Sequence, residues 1–157
     1  MENDITRQVR KLTQAYAYTS IRMHETVARK AGLSGTDHKY LGFLLQGGAM
    51  TAGELSALTG LTTGAVTGLI DRFEKKQLVK RQYAADDRRK VIIEPDTKKI
   101  MALLEPLYRA YRSKSEKLIA SFSEKELGGI EAYLSQAISI MEETTNKLSK
   151  GQPKEEN

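Results

Sequence analysis

Cysteine is absent from the 157 residues, which excludes disulfides, thiolate zinc sites, iron–sulfur clusters and thiol-based redox chemistry in one step. Long hydrophobic runs are missing too. The stretch Tyr40–Leu45, interrupted by Gly42, falls far short of the roughly 20 apolar residues that span a bilayer. The opening residues carry charges of both signs and no apolar signal core, so no membrane association and a cytoplasmic location are expected. Histidine is scarce: His24 and His38 are the only two, and they sit on different predicted helices. With a carboxylate such as Glu25 or Asp37 they would make a ligand-poor metal site, so surface or helix-end histidines are expected, with no metal and no cofactor. The chain also lacks a G-x-G-x-x-G or P-loop stretch, a G-x-S-x-G elbow and an H-E-x-x-H pair, which argues against an enzyme.

What is present is 39% hydrophobic and 29% charged, the balance of a soluble globular protein. A chain of this length forms one domain, or one with a helical extension, and buries about 68–70% of its unfolded surface without staples. The net charge is +5, and its distribution is uneven. Residues 62–93 hold eight basic and four acidic groups, whereas residues 94–157 hold ten and eleven. A confined basic segment between near-neutral ones suits a polyanion, although a solvated face has the same pattern.

Apolar periodicity predicts the elements. Ile5, Val9, Leu12, Tyr16, Met23 and Val27 form one stripe of a long helix over about residues 4–30. Ser34, with Asp37 three residues on, opens a second helix through an approximate capping box, and Leu41, Leu44 and Leu45 face inward before Gly47-Gly48 breaks the chain. Thr51 and Glu54 form a clean T-x-x-E box for a short helix that buries Leu55 and Leu58 and ends at Gly60. Another helix starts near Thr62 or Thr63 and turns Val66, Leu69, Ile70 and Phe73 inward. Two short helices around a Gly-containing turn make a helix-turn-helix. Val79–Tyr83 and Lys90–Ile93, separated by a charged turn, predict a two-stranded hairpin. Pro95 is placed in the first turn of the next helix, which Pro106 should kink or bend. Ser123 and Glu126 open a last helix that carries Leu127, Ile130, Tyr133, Leu134, Ala137, Ile138 and Met141 on one face.

Three stretches in this order resemble the MarR family of winged helix-turn-helix transcriptional regulators. TAGELSALTGL at 51–61 is similar to the family's first helix and turn. LTTGAVTGLIDRFEKKQLV at 61–79 is similar to its recognition helix, and AADDRRKVII at 84–93 to its wing, with Asp87-x-Arg89 matching the D-x-R signature. The resemblance covers about residues 5–147. It implies a mainly α fold with a small two-stranded wing. The helical dimerisation region would comprise 1–32 and 96–148, the DNA-binding lobe 33–95, and a disordered tail 149–157.

On that reading the recognition helix offers Thr62, Thr63, Gly64, Ala65, Thr67 and Gly68, whose short side chains let a helix end approach base edges in the major groove. One of the threonines is explained by capping alone. Arg72, one turn on, can reach a phosphate or a guanine. Arg88 and Arg89 suit a narrow minor groove, Asp87 orders the tip, and an internal Asp87–Arg89 pair would equally rigidify it. Lys75, Lys76, Lys80, Arg81 and Lys90 read as general electrostatics. Two positions depart from the family pattern: Gly68 stands where many members carry Arg, and Gln77 replaces the usual Gly after this helix.

The resemblance further implies a homodimer on double-stranded DNA at a pseudo-palindromic operator, acting as a repressor. It also implies release by a small phenolic or anionic effector in a cleft between dimerisation helices and DNA-binding lobe. Tyr16, Met23, Tyr40 and Phe43 are candidate effector-lining residues, each also readable as plain core. The lack of cysteine excludes the thiol switch of the family's peroxide-sensing branch. Two other classes fit parts of the sequence: a winged-helix protein-interaction adapter, and a metal or ligand sensor without DNA binding.

Overall fold

The computed structural model describes residues 4–87 and 90–150. Capping residues set most of its boundaries. Helix α1 spans Asp4–Lys30. Helix α2 (Gly35–Gly47) starts on Ser34, whose hydroxyl accepts the Asp37 N–H at 2.9 Å. The reciprocal half of the expected box is not made, because the Asp37 carboxylate turns to Arg72 instead. Helix α3 (Ala52–Thr59) has the complete box: Thr51 Oγ1 accepts from Glu54 N, and Glu54 accepts from Thr51 N at 2.7 Å. Gly60 ends α3 in the left-handed region at φ 72°, where a side chain would be strained. Helix α4 (Thr63–Lys75) begins three residues later, capped by Thr62.

The β structure differs from the expected two-stranded hairpin. Strands β2 (Val79–Tyr83) and β3 (Val91–Pro95) pair antiparallel, and a short β1 (Met50–Thr51) adds to the other side of β3, giving the order β1-β3-β2. Met50 lies opposite Ile93 and Thr51 opposite Ile92. A two-residue strand has no alternation to read, and Thr51 serves as both strand end and helix cap.

Pro95 is corrected as well. It closes β3 opposite Val79, and Asp96 caps helix α5 (Thr97–Ala120) by accepting the Lys99 N–H at 3.1 Å. Pro106 lies inside α5, which continues past it on an exposed face. Ser123 and Glu126 exchange their expected bonds at the start of α6 (Glu124–Lys150). That helix runs two residues beyond Leu148 into the expected tail, whose remaining positions 151–157 lie outside the described residues.

The chain divides into two compact units, one ending at Arg109 and one beginning at Ala110. In the first, Leu41, Leu44, Leu55, Val66, Leu69, Ile70, Phe73, Val79, Ile93 and Ile100 form a fully buried core beneath α4 and the sheet. Leu58, expected inside, is 53% exposed, whereas Leu55 is fully buried. In the second unit α6 leaves Ile130, Leu134, Ile138 and Met141 exposed. Among the described residues no helix is long and apolar enough to cross a membrane.

Candidate nucleic-acid interface

Helix α4 is seated from below and presented from above. Val66, Leu69, Ile70 and Phe73 fix its inner face in the core. The turn before it is held by side chains: Ser56 donates to Leu61 O at 2.6 Å, and Thr59 donates to Leu55 O at 2.7 Å. The other side of α4 carries Thr62, Thr63, Gly64, Ala65 and Thr67 exposed and Gly68 half-exposed. Thr62 is spent on capping, accepting the Ala65 N–H at 3.3 Å, and Thr67 donates to Thr63 O at 3.0 Å. Thr63, Gly64 and Ala65 are left as the most forward positions of a helix end whose partial positive charge favours a phosphate.

Arg72 holds a different position from a freely reaching cation. Its Nε and Nη2 donate to both carboxylate oxygens of Asp37 at 2.9 and 2.8 Å, a bidentate bridge from α4 to α2. Asp37 is buried at 6% exposure while the Arg72 side chain remains about half exposed. These bonds raise the guanidinium pKa. Nη1 lies over Gly68, 3.6 Å from where a β-carbon would stand. A β-carbon at position 68 would therefore stand in ordinary van der Waals contact with the clamped arginine.

Arg81 is likewise engaged: on β2 it binds Asp71 and Glu74 of α4, and the Asp71 bond raises its pKa. It ties wing to helix, which corrects its reading as general electrostatics. Lys75, Lys76, Lys80 and Lys90 are exposed around α4 and the hairpin. At the hairpin tip Asp87 is exposed, and its carbonyl accepts the Lys90 N–H at 3.0 Å. Arg88 and Arg89, the two expected groove-entering arginines, lie outside the described residues. Gln77 keeps the left-handed turn after α4 at φ 58°, and its Oε1 accepts from Lys99 Nζ at 2.7 Å.

The four candidate effector residues do not meet at one cavity. Tyr16 is 66% exposed on α1, Met23 is half-buried there, Tyr40 is buried, and Phe43 packs on the core with its ring centroid 6.0 Å from that of Tyr40. A cavity of about 400 Å³ instead opens beside them, between α1 and α2. Ile21, His24, Glu25, Gly35, Thr36, His38, Lys39 and Gly42 line it. Both histidines meet Tyr108 of α5 next to it: Tyr108 OH is 2.5 Å from His24 Nδ1 and 3.1 Å from His38 Nε2. Burial, and then the charge of His24, hold the His38 imidazole below its ordinary pKa; burial raises that of Tyr108. The sequence signal for this site was the pair of glycines, Gly35 and Gly42, on the cavity side of α2. Among the described residues no group of three or more histidines and carboxylates is placed to hold a metal ion.

Residues 31–90 match the family model described as the MarR family. The chain is 38% identical to YcgE, an HTH-type transcriptional regulator of Bacillus subtilis (strain 168), over 82% of this chain and 83% of that one. A MarR family protein from Bacillus stearothermophilus has a solved structure similar to this one at TM-score 0.69 and 23% identity, over 90% of this chain and 98% of that one. FabT of Streptococcus pneumoniae, solved in complex with DNA, is similar at TM-score 0.70 and 18% identity, over 88% and 99% of the two chains.

Proposed function

Given that the chain belongs to the MarR family of transcriptional regulators, we propose that it binds double-stranded DNA as a homodimer at a pseudo-palindromic operator. In this reading it is a repressor that a small phenolic or anionic effector releases. The observation that carries the DNA part is the α4 surface, where small residues from Thr63 to Thr67 stand forward on a helix whose arginine is clamped in place. Helix placement in the groove needs such a fixed base and such a low-relief edge. Thr63, Gly64, Ala65, Thr67 and Gly68 face bases, and Lys75 and Lys90 neutralise phosphates. Arg88 and Arg89, with Asp87, serve the minor groove.

The apolar surfaces support the dimer. Val9, Leu12 and Tyr16 of α1 and Ile130, Leu134, Ile138 and Met141 of α6 stand exposed in the single chain, and exposed apolar stripes mark interaction surfaces. The dimerisation region is accordingly 1–32 with 96–148, and the DNA-binding lobe is 33–95. The cavity between α1 and α2 has the size of a small-ligand pocket. Its imidazoles, bonded to the neighbouring Tyr108 hydroxyl, would anchor a phenolic or carboxylic oxygen; Met23 and Tyr16 share α1 with this lining, and Tyr40 and Phe43 share α2.

Electrophoretic mobility on DNA from upstream of the protein's own gene tests the reading. Retardation that scrambled DNA of equal length does not compete away is expected. Equal competition by scrambled DNA would remove the regulator from consideration.

A further inference from the structure

The chain's only two histidines face each other. Their ring centroids are 5.7 Å apart at an interplanar angle of 28°, with the Tyr108 hydroxyl between His24 Nδ1 and His38 Nε2. One hydroxyl can donate a single proton. With both imidazoles neutral the chain of bonds closes: one ring N–H donates to the tyrosine oxygen, and the tyrosine O–H donates to the other ring. A second added proton makes both facing nitrogens donors, so the hydroxyl loses its acceptor and two like charges confront each other. The surrounding charges are mixed. Glu25 of α1 and Lys39 of α2 line the adjoining cavity. Glu105 lies one turn before Tyr108 on α5, and Arg109 and Arg112 follow it.

The residue before His38 is Asp37, which holds α4 through Arg72. One turn of α2 is thus joined to α1 and α5 by its histidine and to the candidate recognition helix by its aspartate. We propose that the His24–Tyr108–His38 cluster is a proton-binding site, and that its protonation shifts α2 and, through Asp37–Arg72, draws α4 out of its DNA-reading position. The inference rests on the DNA-binding reading and adds regulation by acid to it. Burial and the charge of His24 already disfavour the protonated form of His38, so the cluster is closed at neutral pH and acid opens it.

The direction of the effect is diagnostic. Protonating histidines adds positive charge, which by general electrostatics tightens binding to a polyanion; the α2 linkage weakens it. The experiment measures affinity for the protein's own upstream duplex and for scrambled DNA at pH 7.5 and 5.5 at one salt concentration. The two histidine ring signals are followed by NMR in parallel. Specific affinity is expected to fall about tenfold on acidification, within the usual range of allosteric coupling, while scrambled DNA binds equally well or better. H24Q/H38Q should abolish the fall. Y108F should move the His38 titration and reduce the fall, and D37N should leave both histidines titrating while uncoupling them from DNA.

Specific affinity that stays flat or rises in acid would overturn the proposal, as would a fall that persists in H24Q/H38Q. A fall that persists in D37N would overturn transmission through α2. Absence of specific binding at either pH would instead strike the DNA-binding reading, and the proposal with it.

Discussion

The Asp37 carboxylate accepts two bonds from one guanidinium, so Asp37→Ala removes both and leaves Arg72 to solvent. Hydrogen bonds to charged groups are worth about 1.5–3 kcal/mol, and the half-exposed Arg72 lowers the value. A loss of roughly 1–2 kcal/mol is expected, read as a lower urea midpoint. His38 gives stability a pH dependence of known sign. Its folded pKa lies below the ordinary 6.5, so the unfolded chain binds the proton more readily. Its contribution is present above 6.5 and is lost as pH falls through the folded value. Thermal unfolding from pH 7.5 to 5.5 should show a decline that His38→Gln diminishes. These two residues mark the limit of legibility at this scale. Ser34 and Asp37 look like a capping box in sequence, and only the 35-residue separation from Arg72 hides the other partner. His24 is exposed, as expected of a surface histidine, whereas the partial burial of His38 and the meeting of the two rings depend on how α1, α2 and α5 pack.

Among the elements, α4 was the most legible and α2 the least. Alternation of Val66, Leu69, Ile70 and Phe73 with short polar residues fixes the buried face of α4, and the Thr51–Glu54 box fixes the start of α3. Strand β1 was missed because two residues carry no period, and Pro95 was misplaced because Asp96 supplies the helix cap. In α2, Gly42 stands in the helix interior, and a β-carbon there would meet nothing within 4 Å. Packing does not require the glycine, which costs a helix about 0.5–1 kcal/mol relative to alanine. Gly42→Ala is therefore expected to stabilise the protein by about that amount in denaturant unfolding, while Gly42→Phe should fill the cavity and abolish the effector response proposed above. A destabilised Gly42→Ala would show that this position has a backbone role.

For the whole molecule, the helix-turn-helix lobe is more legible in the sequence than the cavity between α1 and α2. Helix-turn-helix and wing are short-range patterns, whereas a cavity needs the spacing of helices distant in sequence. The proposed dimer surface draws on the apolar stripes of α1, α5 and α6, where Leu12, Tyr111, Leu118 and Ile138 stand exposed in the single chain. The proposed wing arginines bear on the whole molecule, because in that proposal they meet DNA. Arg88→Ala with Arg89→Ala should weaken operator binding and lower the slope of log affinity against log salt by about one to two units. An unchanged slope would detach the wing from DNA.

On a pseudo-palindromic operator the proposed homodimer places its two copies of α4 in successive major grooves. Footprinting of the protein on its own upstream DNA reads this out. Two protected major-groove segments on one face of the duplex, centred about 34 Å apart, are expected. A single protected segment, or protection without that helical spacing, would contradict it.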